Sequence, residues 1–431
     1  MAKTLKAHAD YQTLKTSLHH EVLERLDLKK LFDVPTERAR EQVLLVVRNL
    51  IASEGLPLAS SERERLASEV LDEIFGLGPL ELLLQDMTIS DILVNRWDQV
   101  YIEREGKLER VNLTFKDDKH LLQIIDRIAS RVGRRIDESS PMVDARLTDG
   151  SRVNAIIAPL SLDGPALSIR RFGKDPLTEE EILANKSVTP AMMDLLAAMV
   201  RGKLNIIISG GTGAGKTTLL NILSAHIPSN ERIITIEDAA ELALRQEHVV
   251  RLETRPPNIE GQGAIRMRQL VINCLRMRPD RIILGEVRGE EAFDMLQAMN
   301  TGHEGSLTTV HANTATDALS RVENMVSMAN LNIPDRAIRQ QIASAIHVVV
   351  QIARFVDGTR KIINISEVVG IEHDQIVLKE LFVFERRGLT DSGRVRGVFR
   401  ATGARPKFAE RLAADGFNLG SGIFDMELVE G

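Results

Sequence analysis

The 431-residue sequence is poor in several features, and each scarcity excludes a class of protein. Its one cysteine, Cys274, can form neither an internal disulfide nor a four-cysteine zinc site. Aromatic residues are only 3% of the chain, which argues against a base-stacking surface for single-stranded nucleic acid. The 55 basic and 61 acidic residues leave a formal charge of −6, so no overall field attracts DNA, RNA or anionic lipid.

Long hydrophobic runs are missing as well. Nowhere do about 18 apolar residues follow one another, and the N-terminus (MAKTLKAHADYQTLK) lacks the apolar core of a signal peptide. We therefore expect a cytoplasmic protein whose membrane contacts run through partners. Hydrophobic residues make up 43% and charged residues 27%, as in ordinary globular proteins, and the length suggests about three domains.

Periodicity and turn residues divide the chain into four predicted regions. Residues 1–75 have the apolar spacing of helices. Residues 76–172 predict a small α/β domain, in which Asp149-Gly150 is a hairpin turn signal. Residues 173–186 form a linker. Residues 187–431 alternate apolar strands with helices, including one helix at Val287–Met299, which predicts a mostly parallel sheet covered on both faces and followed by a C-terminal extension.

The most specific motif is G-x-x-x-x-G-K-T, which stands directly between a predicted strand and a predicted helix. Its glycines let backbone N–H groups surround phosphates, and the helix N-terminus adds positive partial charge. Lys216 is expected to reach the β- and γ-phosphates of ATP, and the Thr217 hydroxyl to ligate Mg²⁺. The predicted nucleotide-binding residues are Gly210, Gly211, Thr212, Gly213, Ala214, Gly215, Lys216, Thr217 and Thr218.

Carboxylates follow two of the predicted strands. The strand RIIL is followed by Gly285-Glu286, and Gly285 occupies the place where many phosphate-loop proteins have an Mg²⁺-holding aspartate. Glu286 is therefore predicted to position and activate the attacking water and to touch the metal through water. Glu237-Asp238 follows the strand RIITI and is expected to complete the metal shell with Thr217.

Histidines and arginines supply further candidates. His311, at the carboxyl end of a strand, is predicted to sense the γ-phosphate, with a buried core histidine as the alternative; a metal site of His303 and His311 is disfavoured because the spacing is wrong. Arginines crowd the end of the small α/β domain, and guanidinium groups neutralise charge on a transferring phosphoryl group. They would need interdomain or intersubunit contact to do so, and a solvated strand edge is the alternative. They are Arg146, Arg152, Arg170 and Arg171.

The order of motifs resembles the type II/type IV secretion ATPase superfamily: GGTGAGKTT, ITIEDAAEL, RMRPDRIILGEVRG and TGHEGSLTTVHAN, with the Gly-Glu ending that explains Gly285. Residues 144–171 look like the CpaF/TadA branch, which powers tight-adherence (Flp) pili. The resemblance implies a homo-hexameric ATPase with a RecA-like motor domain that docks on an inner-membrane platform protein. It also implies nucleotide contacts from Arg152, Arg170 and Arg171. Together with Glu237, Glu286 and His311, these arginines are the predicted catalytic residues.

Two other functions fit the same residues. One is a RecA-like nucleic-acid motor, against which the acidic charge and scarce aromatics count. The other is a nucleotide-binding scaffold of a secretion complex that does not hydrolyse ATP; such a scaffold has no chemical need for both Glu237 and Glu286. Whether a motor would extend or retract a filament is not encoded in these motifs.

Overall fold

The chain divides into two compact units, residues 1–173 and 174–431. A computed structural model describes residues 14, 15, 17–19, 21, 22, 24, 36–53, 58–104, 106–171, 177–257, 260–329, 331–391, 393–417, 419, 420, 422–425 and 427–430. Much of residues 1–35, within the predicted helical region 1–75, and residues 173–176 of the predicted linker 173–186 lie outside the described residues. No described helix is long and apolar enough to cross a membrane.

The first unit contains helices α1 (Thr36–Ser53), α2 (Ser60–Phe75) and α3 (Leu80–Gln85). The apolar residues of α1 and α2 recur every three or four positions, so they fall on one face of each helix. These faces pack together around Val43, Val47, Leu66 and Val70, which are fully buried. Helices therefore cover residues 36–53 and 60–75, as the spacing predicts.

A six-stranded antiparallel sheet follows in the order β3-β2-β1-β6-β5-β4. Its core lies between one face of the sheet, the amphipathic helix α4 and residues of α3 such as Leu80, and Asp117 caps the N-terminus of α4. Asp149 accepts hydrogen bonds from the N–H and hydroxyl of Ser151, which fixes the predicted hairpin turn between β4 and β5. The elements are β1 (Ile89–Arg96), β2 (Gln99–Arg104), β3 (Lys107–Val111), α4 (Asp118–Arg131), β4 (Met142–Arg146), β5 (Arg152–Ile156) and β6 (Ala166–Arg170).

The second unit is built on a ten-stranded sheet in the order β16-β15-β14-β13-β12-β7-β11-β10-β8-β9. Its elements are α5 (Glu179–Ala184), α6 (Pro190–Arg201), β7 (Ile206–Ser209), α7 (Lys216–Ser224), β8 (Ile233–Glu237), β9 (Val249–Glu253), α8 (Met267–Cys274), β10 (Arg281–Leu284), α9 (Glu291–Asn300), β11 (Leu307–Val310), α10 (Ala315–Ser327), α11 (Asp335–Ala345), β12 (Val348–Arg354), β13 (Arg360–Glu372), β14 (Gln375–Leu389), β15 (Val395–Ala401), α12 (Phe408–Ala414) and β16 (Glu427–Glu430).

The position of the central strand β7 explains why its sequence is apolar at successive positions. Ile206 and Ile208 face a core that includes residues of α6, α7 and α12, whereas Ile207 faces a second core that includes residues of α8 to α11. Because side chains alternate along a strand, a strand with helices on both faces must be apolar at every position. The sheet is covered on both faces in this region, as predicted.

The predicted mostly parallel sheet is parallel in one half only. Strands β12, β7, β11, β10, β8 and β9 run parallel, while β12 through β16 form an antiparallel run that the sequence analysis left as an extension. The helix predicted from Val287 begins at Glu291 instead. The Glu291 carboxylate accepts the N–H groups of Arg288 and Gly289, so these residues form a turn ahead of the helix.

Candidate functional site

The phosphate-loop motif connects the carboxyl end of β7 to the first turn of α7. Gly213 and Gly215 have φ of +68° and +97°, a conformation that side-chain-bearing residues rarely adopt. A Cβ on Gly210 would lie 2.5 Å from the Ile352 carbonyl oxygen of the neighbouring strand β12. The glycines at these three positions are therefore required by backbone shape or close approach.

The loop has the features that phosphates need. The first hydrogen bond of α7 runs from the Leu219 N–H to the Gly215 carbonyl, so the N–H groups of Lys216, Thr217 and Thr218 precede it at the helix N-terminus. Lys216 curls over the loop, and its Nζ donates to the Gly211 carbonyl at 3.2 Å. Burial lowers the pKa of Lys216, Glu286 opposes that shift and Arg288 adds to it. A bound phosphate would place negative charge beside this buried ammonium group and so favour its charged form. The loop and Lys216 therefore fit the phosphates of a nucleotide.

Glu237 occupies the space next to Gly285. A Cβ on Gly285 would lie 2.9 Å from Glu237 Cγ, so a larger residue at position 285 would collide with this side chain. Glu237 Oε1 accepts the N–H groups of Glu241 and Leu242, while its buried Oε2 has no hydrogen-bond partner among the described residues. The glutamate side chain therefore lies beside the backbone position where related sites carry an aspartate.

The environment of Glu237 suits a cation. Burial raises the pKa of this carboxyl group, and the two backbone donors oppose the shift. A buried carboxylate oxygen without a donor is the group that a metal ion would satisfy. Among the described residues no three acidic, histidine or cysteine side chains enclose a metal ion, so the predicted set of Glu237, Asp238 and Glu286 is not a preformed cage. Mg²⁺ suits such a site, because it usually keeps several waters and takes few protein ligands.

Arg288 connects two of the predicted carboxylates. Its Nη2 donates to Glu286 Oε2 at 2.7 Å, and its Nη1 lies 3.4 Å from Asp238 Oδ2. Glu286 follows β10 and Asp238 follows β8, and the carboxyl ends of these parallel strands lie side by side. The structure thus brings Glu286 and Asp238 together at the sheet edge that carries Lys216, with an arginine that the sequence analysis did not select.

His311 lies at the same edge, after β11. Its Nε2 is 3.3 Å from the Thr212 hydroxyl of the phosphate loop. Burial lowers the pKa of His311, and Lys216 lowers it further, so the ring is neutral near pH 7 and can donate or accept one hydrogen bond. His303 lies before β11, at the opposite end of this strand from His311. The His303 N–H donates to the Ala298 carbonyl, and the His303 carbonyl accepts from the Ser306 hydroxyl.

The predicted arginines belong to the first unit. Arg152 and Arg170 are opposite partners on β5 and β6, so both side chains project from one face of the six-stranded sheet. Arg170 Nε donates to Asp91 at 3.2 Å. Arg171 donates to the Asp86 carbonyl and to the Met87 sulfur, which ties it to its own unit. Arg146 Nε donates to the Gly150 carbonyl of its hairpin. The contact of these arginines with a nucleotide stays a prediction.

The structure also brings Arg354 and Arg360 to the phosphate loop, and sequence reasoning missed both. Arg360 Nε donates to the Gly213 carbonyl at 2.9 Å. The pair Asp357-Gly358 between two apolar runs is a turn signal that could have revealed their hairpin. No local pattern, however, indicates that this hairpin lies beside a loop residue 147 positions earlier in the chain.

Comparison with known proteins identifies the family. The family model described as type II/IV secretion system protein matches residues 73–391. The chain belongs to this family. It is 40% identical over 303 residues to a Mycobacterium tuberculosis protein provisionally named for conjugal transfer, covering 68% of this chain and 85% of that protein. It is 32% identical over 322 residues to the type IV secretion system protein VirB11 of Brucella suis, covering 68% and 89%.

The VirB11 ATPase of the Brucella suis type IV secretion system, crystallised with sulphate, is 30% identical, covers 69% of this chain and 97% of its own, and superposes with a TM-score of 0.38. The family match spans every site residue described above, from the arginines of the first unit to the β12–β13 hairpin.

Proposed function

We propose that this protein is an ATPase that powers assembly of a pilus or secretion through an inner-membrane machine. The observation that carries the proposal is the convergence of Lys216, Glu286 and Glu237 at one sheet edge. A phosphate-binding loop alone would serve a scaffold. A loop that faces a carboxylate able to activate water, beside a second carboxylate suited to a cation, serves hydrolysis.

Each residue has a distinct role in the proposed reaction. The loop N–H groups and Lys216 hold the β- and γ-phosphates, and Thr217 and Glu237 hold Mg²⁺ directly or through water. When bound, Mg²⁺ neutralises phosphate charge. Glu286 orients the attacking water and accepts its proton, and neutral His311 hydrogen-bonds near the γ-phosphate. Arg152 and Arg170 supply positive charge to the transferring phosphoryl group within an oligomer.

The motor is inferred to be a homo-hexamer that works at the inner membrane through a platform protein, and its filament to be a tight-adherence pilus. The resemblance of the motif order to the type II/type IV secretion ATPase superfamily supports the first inference, and a relative named as a type IV secretion system protein supports a role in secretion. The resemblance of residues 144–171 to the CpaF/TadA branch supports the second. Sedimentation at several concentrations with and without ATP measures the oligomer, and loss of pili in a strain carrying only Lys216→Ala, restored by the wild-type chain, tests the filament.

Phosphate release and nucleotide binding by purified variants test the enzyme. We expect Lys216→Ala to lose nucleotide binding, because the buried ammonium group is the phosphate ligand. Glu286→Gln should bind ATP but hydrolyse it about 10²–10⁴-fold more slowly, since it cannot accept a proton. Glu247→Gln, an exposed carboxylate of the same unit, is the matched control. Full turnover in Glu286→Gln would remove that residue from its role, and binding without hydrolysis in the wild type would favour the scaffold.

A further inference from the structure

Two arginines outside every nucleotide-binding motif lie against the phosphate loop. Arg354 ends β12 and Arg360 begins β13, and the two are paired across the hairpin. Arg360 Nε donates to the Gly213 carbonyl at 2.9 Å, and its Cδ lies 3.2 Å from where a Gly215 Cβ would be. Arg354 Nη1 lies 3.3 Å from the corresponding position on Gly213. The hairpin therefore touches the loop at its two left-handed glycines.

The contact acts on a peptide group that orients the loop. A trans peptide directs its C=O and the following N–H in opposite directions, so a donor that holds the Gly213 carbonyl also fixes the Ala214 N–H. That N–H donates across the loop to the Gly211 carbonyl at 3.3 Å, the same carbonyl that accepts from Lys216. Arg360 thus contacts the outer side of the loop and, through the Gly213–Ala214 peptide, fixes the direction of the Ala214 N–H on the inner side.

The hairpin is itself held firmly. Asp357 accepts from the Thr359 N–H and hydroxyl within the turn, and its second oxygen accepts the Val395 N–H at the start of β15. On β13, the Lys361 ammonium donates to the Lys186 carbonyl, and the Ile362 N–H donates to the Ser187 carbonyl. Arg360 therefore lies in a hairpin that hydrogen bonds hold both to the start of β15 and to the segment 186–187.

We propose that Arg360 is a positioning residue for nucleotide: its Nε–H holds the Gly213 carbonyl outward and so keeps the Ala214 N–H turned inward, in the loop shape that the phosphates enter. The inference rests on the proposed nucleotide site and adds a residue from the antiparallel half of the sheet to it. The Arg360 contact shapes the loop before nucleotide arrives, so its loss should weaken binding of ADP as well as ATP.

Three substitutions separate the hydrogen bond from the charge. Arg360→Gln places an amide N–H at the same point along the side chain as Nε but removes the charge. Arg360→Lys keeps the charge but has a methylene at that point. Arg360→Met has neither. Arg386→Gln, an exposed arginine on β14, controls for general loss of charge. The measurements are the Kd of a fluorescent ADP analogue, kcat and KM for ATP, and the melting temperature without nucleotide.

We expect Arg360→Met and Arg360→Lys to raise the Kd for ADP and the KM for ATP about 10-fold, with kcat changed much less, because a charge-assisted hydrogen bond is lost. Arg360→Gln should stay within about threefold of wild type. Recovery by Lys but not Gln would assign the effect to charge and overturn the proposal. So would ADP binding within twofold of wild type in Arg360→Met, or a lower melting temperature with binding unchanged.

The outcome for the proposed function is separate. If wild type binds ADP and Lys216→Ala does not, the nucleotide site stands whatever the Arg360 variants show. If wild type binds no nucleotide, the proposed function fails, and the Arg360 inference falls with it. Should Arg360→Met fail to fold, the Gln and Lys variants still decide between hydrogen bond and charge.

Discussion

The two halves of the ten-stranded sheet contribute to the candidate site in different ways. The parallel half, β7 to β11, carries the phosphate loop, Glu237, Glu286 and His311 at the carboxyl ends of its strands. The antiparallel half, β12 to β16, carries no nucleotide-binding motif, yet its first hairpin places Arg354 and Arg360 against the loop. The predicted catalytic residues of the second unit thus lie in the half with sequence-local motifs, and side chains that contact the loop from outside come from the half without them.

The difference has a physical basis. A loop that surrounds phosphates must be built from consecutive N–H groups, so its residues are adjacent in sequence and form a recognisable pattern. A side chain that braces such a loop from outside can come from any strand that pairs nearby. Strand β12 pairs with β7 directly, which is why its terminal arginine and the one opposite it reach the loop.

The largest expected effect would show that the two halves of the sheet do not form the site by themselves, because arginines of the first unit would contribute to it as well. We expect Arg152→Ala and Arg170→Ala to lower the ATPase rate roughly 10³–10⁵-fold if these guanidinium groups stabilise the transferring phosphoryl group. Steady-state phosphate release measures the rate. Arg110→Ala, an exposed arginine of the same six-stranded sheet, is the control. A loss below tenfold in both would assign the pair to a solvated strand edge.

The next effect tests the parallel half by itself. Glu237→Gln keeps the shape that packs over Gly285 but removes the negative charge. We expect the ATPase rate to fall about 10–100-fold and the Mg²⁺ concentration for half-maximal rate to rise. Titration of Mg²⁺ at saturating ATP measures both, with Glu247→Gln for comparison. An unchanged Mg²⁺ requirement would show that Glu237 is only a packing residue.

A smaller effect concerns the junction of the two halves. In Gly210→Ala the new Cβ would lie 2.5 Å from the Ile352 carbonyl of β12, so β7 or β12 must shift. We expect the free energy of unfolding to fall by about 1–3 kcal/mol. Urea unfolding without nucleotide measures it. Gly211→Ala is the matched control, since no heavy atom lies within 4 Å of its Cβ position. Equal free energies of unfolding for the two variants would show that β7 and β12 accommodate the added methyl group without loss of stability.

The smallest effect is a pH dependence of folding stability, at the other end of the contact between β7 and β12. His347, just before β12, accepts the Asn205 N–H at Nδ1, which requires that nitrogen to be unprotonated. Burial lowers the pKa of His347; Arg411 lowers it further, and Glu304 opposes the shift. The unfolded chain therefore binds a proton first as pH falls, so this contribution to stability is full above pH 6.5 and declines below it.

Urea unfolding at pH 7.5 and pH 5.5 checks this contribution. The loss of stability on acidification should be smaller in His347→Gln than in wild type, because glutamine does not titrate. An identical loss in both would place the pH sensitivity in other groups.

Sequence reasoning foresaw the site more fully than the sheet. The hairpin at Asp149-Gly150 and the phosphate loop were predicted from residues close together in the chain, and the structure has both. Local signals work there because the interactions are local. The antiparallel run and the start of α9 were not predicted, since a long-range strand pairing and the Glu291 carboxylate on two upstream N–H groups decide them.

By itself, the sequence determined the phosphate loop, the carboxylates that follow β8 and β10, and membership of a secretion ATPase family, because each depends on residue types at fixed short spacing. Only the tertiary structure decided that Glu237 lies over Gly285, that Arg288 bridges Glu286 and Asp238, and that Arg360 braces Gly213. Apart from Arg288 and Glu286, which lie two residues apart, these contacts join residues far apart in sequence, and strand order in the folded sheet brings them together.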